Sequence, residues 1–411
     1  MTKQYGLVWR ALDSVISQLS QAAVNLMTTL TFINILTPSD FGFLAAFWSV
    51  WMLLMSMNRA VFGEQLIAQS HDPEIRHGYL DFGFLWSALG ILTTVVVAVS
   101  TDLSSLIPGV LCVALFVVSD MVRYGEMAGL GPLEEARGFV LMPIELIRLG
   151  ASLLALIIAL LNGSTYLSVG FALASSVVWI VVGLRMNGFP RFSRAVAFVR
   201  RKEKFEGLMA FQFLTGTGLS QVIPFLALHA FGAAQFGAIR IAQSILSPIT
   251  LLTSAFQPSL IRLFAERQKS GRFGKFMIST ILVSVSVASL MALIAVWGIS
   301  VLGDFIIPPG QAEVVDELLL PVAVSLSFVV VGLPGGALIK VRRLGAVSFW
   351  GQVMGMCVTL ILCVLATSQS IRDFVWALAF GSVSTVISTY VLLVGSSVRS
   401  RSSRVPDSNG I

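Results

Sequence analysis

The sequence predicts an all-α polytopic membrane protein, with about twelve transmembrane helices in two six-helix bundles around a central cavity. Three observations support this class. Apolar runs of about 20 residues, the length that spans a bilayer, recur along the whole 411-residue chain. Only 12% of the residues are charged, against about 25% in soluble domains. The basic residues also concentrate on alternate connections between the runs, as the inner loops of membrane proteins do.

Each apolar run is predicted to be a helix, because a backbone inside the bilayer must satisfy its own hydrogen bonds. The predicted spans are residues 11–36, 40–58, 79–100, 105–122, 138–161, 164–184, 207–230, 234–257, 276–301, 316–339, 347–368 and 373–395. Very short connections alternate with longer, basic ones. This alternation predicts pairs of antiparallel helices that turn tightly on one side of the membrane.

The charges predict which side is inside. With the N-terminus inside, 24 of the 27 Lys and Arg residues lie in the N-terminal segment, the inner connections or the tail. The exceptions are Arg372, in an outer connection, and Arg148 and Arg240, within spans. The outer connections carry seven acidic residues: Asp40, Asp102, Asp304, Glu313, Asp316, Glu317 and Asp373. We therefore expect a multi-pass protein of the plasma membrane with both termini in the cytoplasm.

The longest inner connection divides the chain into halves. Residues 1–184 form the predicted N-terminal six-helix bundle, and residues 207–395 form the C-terminal one. The basic linker 185–206 joins them, and a Ser- and Arg-rich tail, 396–411, is expected to be disordered.

The linker itself has an amphipathic pattern. Its apolar residues recur at helical spacing among several arginines; they are Phe192, Ala195, Val196 and Val199. This pattern predicts a helix on the inner membrane surface that contacts anionic lipid headgroups. A simple connection whose charges only set the topology is the alternative.

A short repeat relates the two halves. Asp40-Phe41-Gly42 opens span two, and Gln235-Phe236-Gly237 opens span eight, each after a span with polar residues along one face. Two six-span halves of parallel topology would produce this pattern, and such repeats are one plan of membrane transporters.

Polar stripes run along two spans at steps of three or four residues, so each stripe occupies one helical face. In span one the stripe is Arg10, Ser14, Ser17, Gln21, Asn25 and Thr28; in span eight it is Arg240, Gln243, Ser247, Thr250 and Ser254. Such faces avoid lipid, and either hydrogen bonds between helices or a wet cavity could receive them. One or two polar residues would suffice for hydrogen bonding, so stripes of this length favour a cavity.

Charged residues inside the spans indicate the class of cargo. Arg148 lies near the membrane midplane in span five, where an unpaired charge costs at least about 2.5–3.5 kcal/mol. Glu145 precedes it by one turn, so the two form either a structural pair or a cationic site modulated by an acid. Arg240 and Arg10 head the two polar stripes, and Asp13 follows Arg10 by one turn. Guanidinium groups at several depths favour an anionic cargo such as phosphate.

Two stretches resemble a known family. Residues 236–248, FGAIRIAQSILSP, resemble the eighth span of polysaccharide exporters, and residues 36–42, LTPSDFG, resemble their first outer turn. The family is the Wzx-type flippases of lipid-linked oligosaccharides, within the multidrug/oligosaccharidyl-lipid/polysaccharide exporter superfamily. The resemblance implies two bundles around a cavity, alternating access, and an oligosaccharide carried on polyprenyl diphosphate from the inner to the outer leaflet.

The resemblance also implies roles for particular residues. Arginines in the cavities of similar proteins hold the diphosphate, and this role would fall on Arg148 and Arg240, with Arg10 third. The candidate substrate-binding residues are Arg148, Arg240, Arg10, Gln21, Asn25 and Gln243. Asp13 and Glu145 are candidates for coupling transport to an ion. Membrane lipids, and a glycan polymerase or glycosyltransferases of the same pathway, are the expected partners.

Other functions fit the sequence less well. A drug or small-molecule antiporter of the same architecture remains an alternative, although a cationic drug favours a cavity dominated by acids. A membrane glycosyltransferase or glycan polymerase would need an assembled acid/base site, which the short outer connections do not offer, so no enzymatic activity is expected.

The scattered cysteines and histidines predict neither a cofactor nor a metal site. Basic residues that lie in loops between spans argue against a nucleic-acid partner.

Prolines and glycines mark positions where helices bend or approach closely. Pro143, Pro224, Pro248 and Pro334 each interrupt a predicted span. Gly351 and Gly355 have the spacing of small residues at close contacts between membrane helices.

Overall fold

A computed structural model describes residues 20–58, 73–100, 106–129, 138–161, 164–200, 223–247, 249, 260, 264, 273–307, 309–342 and 344–402. These residues form helices and connections, with no strand among them. The helices are α1 (20–35), α2 (Pro38–Asn58), α3 (Pro73–Ser100), α4 (Ile107–Gly129), α5 (Gly138–Leu160), α6 (Thr165–Asn187), α7 (Phe192–Arg200), α8 (Pro224–Phe231), α9 (Ala233–Ile245), α10 (Phe273–Ile306), α11 (Pro309–Arg342), α12 (Gly345–Ala366) and α13 (Ile371–Ser402).

A helix lies at each of the twelve predicted spans, although the described residues cover only parts of spans one, seven and eight. Helix α13 continues to Ser402, so it includes the first residues of the predicted disordered tail. Among the described residues, five segments are long and apolar enough to cross a membrane: Pro143–Leu160, Thr165–Arg185, Gln311–Ile339, Gly345–Ala366 and Ile371–Ser396. The predicted class, an all-α polytopic membrane protein, is confirmed.

Local hydrogen bonds explain where two of the helices begin. The Thr37 hydroxyl accepts a bond from the Asp40 backbone N–H at 3.2 Å and donates to the Asp40 carboxylate at 2.7 Å. Ser370 and Asp373 repeat this arrangement before α13, at 3.1 and 2.6 Å. Reciprocal bonds of this kind cap a helix N-terminus, and the acid also favours the positive end of the helix dipole. Two of the acids assigned to outer turns therefore also start helices.

The chain forms two compact units. One comprises Met1–Ile245 with Leu302–Val315, and the other comprises Leu246–Val301 with Asp316–Ile411. In the first unit, α4 packs against α2, α3 and α6; α5 packs against α6; and α9 packs against α2. The division at Ile245 falls inside predicted span eight, so the two six-helix bundles, 1–184 and 207–395, remain a prediction.

The repeated motifs meet where α2 and α9 cross. A Cβ atom on Gly42 would overlap the Ala233 carbonyl group, so the two backbones are in contact at this point. A Cβ atom on Gly237 would lie 3.1 Å from the Phe41 ring and 3.3 Å from the Gly42 backbone. Phe41 and Phe236 are both buried beside the crossing. Each motif therefore supplies a glycine that lets the other helix approach.

In the second unit, α12 and α13 pack through small residues. A Cβ atom on Gly355 would lie 2.4 Å from the Thr385 Cα atom, and one on Gly351 would lie 3.1 Å from the Thr389 Cα atom. The glycine pair identified in the sequence therefore lies at a helix contact, and its partner residues are two threonines of α13.

Pro334 lies inside α11, and the structure shows how the chain accommodates it. In a regular α-helix, the Gly335 N–H would donate a hydrogen bond to the Val331 carbonyl, four residues earlier. The Tyr390 hydroxyl instead stands between them: it donates to the Val331 oxygen at 2.9 Å and accepts from the Gly335 N–H at 3.2 Å. A side chain inserted into the helical ladder is a recognised cause of a bend.

Candidate functional site

Arg148 lies at the centre of a buried polar group in the first unit. Its side chain is 0% exposed, and its Nη1 donates a hydrogen bond to the Gln21 side-chain oxygen of α1. The same nitrogen lies 3.9 Å from the Glu145 Oε2 atom, one turn earlier on α5. The guanidinium also lies 5.1 Å from the centre of the Phe116 ring of α4. Three helices therefore hold one cation through an amide, a carboxylate and an aromatic face.

Glu145 is fixed from a fourth helix. The Trp179 indole N–H of α6 donates to its Oε1 atom at 3.1 Å, and both side chains are buried. The two oxygens of Glu145 therefore face different partners: Oε1 accepts from the indole, and Oε2 faces Arg148. The distance of 3.9 Å shows that Glu145 and Arg148 form a charge pair without a close hydrogen bond between Nη1 and Oε2.

A second buried ion pair, not recognised in the sequence, lies on α4. Arg123 donates to the Asp120 Oδ1 atom from its Nη2 at 3.0 Å and from its Nε at 3.2 Å, and both residues are 1% exposed. Both interact electrostatically with Arg148. The predicted span ended at 122, whereas α4 continues to Gly129, so Arg123 lies within a helix and not in a loop. The spacing of an acid and an arginine three apart could have identified the pair.

Arg240 has a different environment on α9. It is half-buried, its Nη1 donates to the Gln243 side-chain oxygen at 3.3 Å, and its guanidinium lies 5.6 Å from the centre of the Trp48 ring of α2. No acidic residue pairs with it among the residues that the structure describes. The predicted polar face of span eight therefore carries a cation held by an amide and an aromatic ring.

The polar face of α1 is divided between two environments. Gln21 and Thr28 are buried, whereas Asn25 is half-buried. Beside this face, the hydroxyl groups of Thr29 and of Ser244 on α9 form a hydrogen bond at 3.2 Å. The structure thus brings α1 next to both α5 and α9, so Gln21 reaches Arg148 while Asn25 remains partly accessible. The predicted residues Arg10 and Asp13 lie outside the described residues.

Several buried donors have unused hydrogen-bonding capacity. The Nε and Nη2 atoms of Arg148 and the Nε atom of Arg240 have no hydrogen-bond partner within the described part of the chain. The same holds for the Thr28 and Ser152 hydroxyls. Ser152 follows Arg148 by one turn on α5, so α5 presents an arginine and a hydroxyl on one face. Guanidinium and hydroxyl groups in this state can bind water or an oxyanion.

Comparison with known proteins identifies the fold. No protein-family model matches the chain, and no curated protein matches its sequence. Among solved structures, an inward-facing multidrug resistance MATE family transporter of the MOP superfamily superimposes with a TM-score of 0.63 at 15% identity, over 94% of this chain and 99% of that one. The lipid II flippase MurJ, in an inward closed conformation, also has a TM-score of 0.63, at 11% identity, over 93% and 87% of the two chains.

A third structure is an outward-facing MATE family transporter, with a TM-score of 0.56 at 13% identity over 96% of both chains. The coverage is nearly complete in all three comparisons, whereas the identities are low. The likeness therefore concerns the fold alone, and the chain has the all-α membrane fold that these transporters share.

Proposed function

We propose that this protein is a membrane transporter that carries a polyprenyl-diphosphate-linked oligosaccharide, a precursor of a cell-envelope polysaccharide, from the inner to the outer leaflet. Movement would follow alternating access, in which a binding site opens first to one side of the membrane and then to the other. The fold shared with a multidrug transporter and a lipid flippase supports the transport function. The charges of the site support the choice of an anionic cargo.

The observation that carries the proposal is the state of Arg240. Its guanidinium is half-buried, unpaired with any acid among the described residues, and has a free Nε donor. A diphosphate would supply the acceptors that this group lacks, because guanidinium and phosphate form two parallel hydrogen bonds. Gln243, one turn away, and Asn25 of α1 would donate further hydrogen bonds to the phosphate or the sugar.

Arg148 has a more enclosed position, and we assign it a different part of the same process. Its charge is balanced by Glu145, and its free donors, beside the Gln21 amide, would hold water or a phosphate oxygen when the site opens. Glu145 would then be the acid that couples transport to an ion. Arg10 and Asp13, the corresponding pair of span one, keep their predicted roles in substrate binding and ion coupling.

A small-molecule or drug antiporter is the second candidate. The likeness to a multidrug transporter is as high as the likeness to the lipid flippase. Two buried acids of the first unit, Asp120 and Glu145, could in principle attract a cationic molecule. Both already face arginines, however, so the charge balance favours an anionic cargo.

The test is made in cells that lack the chromosomal copy of the gene and carry variants of it. Arg240→Ala should cause diphosphate-linked glycan to accumulate on the cytoplasmic side, with normal amounts of protein in the membrane. Loss of a charge-assisted hydrogen bond costs about 1.5–3 kcal/mol, which corresponds to roughly 10- to 150-fold weaker binding. Arg240→Lys should recover part of the export, since it keeps the charge and loses the planar geometry.

Arg372→Ala is the matched control, because Arg372 is exposed at the start of α13, outside the candidate site. It should export normally. Full export by Arg240→Ala would reject the proposed binding site. Unchanged lipids together with altered drug tolerance in the deletion strain would favour the antiporter instead.

A further inference from the structure

Helix α7 lies beside the start of α3 and is fixed there by three contacts. The Phe198 ring packs edge-on against the Tyr79 ring, with 6.5 Å between ring centres, and is buried. A Cβ atom on Gly78 would lie 2.7 Å from the Phe198 Cβ atom, so this glycine makes room for the aromatic residue. Arg194 pairs with the buried Asp81, with 2.6 Å between Nε and Oδ2. One side of the helix is therefore occupied by protein.

This pairing changes the role expected of Arg194. Arg194 is one of the arginines that lie between the apolar residues of the linker's pattern. Its charge is neutralised by Asp81, so it is not available to bind an anionic headgroup. A helix attached so firmly also has a defined rotation about its axis. The residues on its opposite side can therefore be identified.

The opposite side of α7 and the preceding turn expose aromatic and basic residues together. Phe189 is 83% exposed and Phe192 is 72% exposed. Arg185, Arg191 and Arg200 are exposed beside them. We call these five residues the aromatic–arginine face. Segment 185–202 contains six basic residues and no acidic one, and only Arg194 among those on the described helix pairs with an acid, so the face has a net positive charge.

The position of the face along the chain brings it to the membrane surface. The apolar span of α6 ends at Arg185. Gly188 follows with a φ of 73°, a left-handed conformation that turns the chain, and α7 begins at Phe192. Seven residues from the end of a span cannot leave the interfacial region by more than about 25 Å.

From these observations we infer that the aromatic–arginine face binds the phosphate headgroups of anionic phospholipids in the inner leaflet. Phe189 and Phe192 would insert their rings at the level of the headgroups, where aromatic residues accumulate. Arg185, Arg191 and Arg200 would contact the negatively charged phosphates, as basic clusters at the cytoplasmic end of a span do. This inference does not depend on the identity of the transported molecule.

The test uses the full chain in lipid vesicles with a nitroxide label on Ser193→Cys, an exposed position of α7. Vesicles of phosphatidylcholine alone are compared with vesicles that also contain phosphatidylglycerol. Accessibility to oxygen, relative to a water-soluble nickel chelate, measures the depth of the label. In the otherwise unchanged chain we expect this ratio to be several-fold higher when phosphatidylglycerol is present.

Two double variants separate the contributions of charge and ring. Arg191→Gln with Arg200→Gln should abolish the difference between the two kinds of vesicle. Phe189→Ser with Phe192→Ser should lower the ratio in both. Arg372→Gln, which removes an exposed arginine of α13, is the control and should leave the ratio unchanged.

Two outcomes would overturn the inference. In the first, the label is equally water-exposed in both kinds of vesicle. In the second, its immersion is independent of phosphatidylglycerol and of the arginines, which would indicate only a neutral interfacial contact. The lipid comparison on the chain without charge or ring substitutions keeps the test decisive even if a double variant fails to fold.

Discussion

A guanidinium buried in a membrane protein is stable only if neighbouring groups replace the water that it loses. Around Arg148 those groups are Gln21, Glu145 and the Phe116 ring. Glu145 in turn depends on the Trp179 indole. Each side chain thus completes the hydrogen-bonding or electrostatic requirements of another, so removing one should affect the rest.

We therefore predict that Arg148→Ala strongly destabilises the protein. It removes the cation that faces the buried Glu145 carboxylate, and breaking a buried charge pair typically costs about 3–5 kcal/mol. Both the melting temperature in detergent and the amount of protein in the membrane should fall. Adding Glu145→Gln should recover part of the loss, because the amide oxygen can still accept the Trp179 hydrogen bond without carrying a charge.

The single variant Glu145→Gln completes a double-mutant cycle with Arg148→Ala and the double variant. A coupling energy near zero between the two positions would contradict the pairing, and Arg148 would then act as an independent site. The sequence predicted that Glu145 and Arg148 belong together because they lie one turn apart. It could not predict that Gln21, Phe116 and Trp179 complete the group, because they come from other helices and are brought together only by tertiary packing.

At the scale of helices, the crossing of α2 and α9 depends on Gly42. We predict that Gly42→Ala lowers the melting temperature and the transport rate together. The new methyl group would meet the Ala233 backbone, which cannot move aside as a side chain can, so the helices would have to separate. Overpacking of this kind costs about 1–3 kcal/mol.

Gly150→Ala provides the control, because a Cβ atom there meets no described atom within 4 Å. Alanine in a helix is favoured over glycine by about 0.5–1 kcal/mol, so this variant should be as stable as the parent chain or slightly more stable. Equal melting temperatures for both variants would show that the crossing is looser than the structure indicates.

Helices were more predictable than their contacts. Apolar runs of bilayer length located a helix at every predicted span. The repeated Phe-Gly motif marked the starts of spans two and eight but did not indicate that the two helices cross there. The Tyr390 hydroxyl that fills the ladder beside Pro334 could not be predicted, because its sequence position gives no sign of which helix it approaches. The end of α4 was missed because Asp120 and Arg123 make its last turns polar, although they neutralise each other inside the protein.

At the scale of the whole molecule, the distribution of charge predicts cytoplasmic termini. We expect a membrane-impermeant maleimide to label Ser39→Cys in intact cells, because Ser39 is exposed in the first turn of α2. Ser408→Cys, in the basic C-terminal segment, should be labelled only after the membrane is permeabilised. The background for both is a variant without the exposed Cys357.

The reverse labelling pattern would invert the topology. The binding site would then be required to accept cargo from the opposite leaflet, and the proposed direction of transport would be wrong. Labelling of both positions in intact cells would require an even number of spans between them, whereas the predicted topology has an odd number.

The central claim is that the chain moves a diphosphate-linked glycan lipid across a bilayer. The most direct measurement uses purified protein in vesicles that contain a fluorescent polyprenyl-diphosphate oligosaccharide, with a quencher added outside to report how much lipid reaches the outer leaflet. We predict rapid loss of the protected fraction with the unchanged protein, a rate at least about tenfold lower with Arg240→Ala, and little movement of a neutral glycolipid. Movement no faster than in protein-free vesicles, or equal movement of the neutral lipid, would contradict the account.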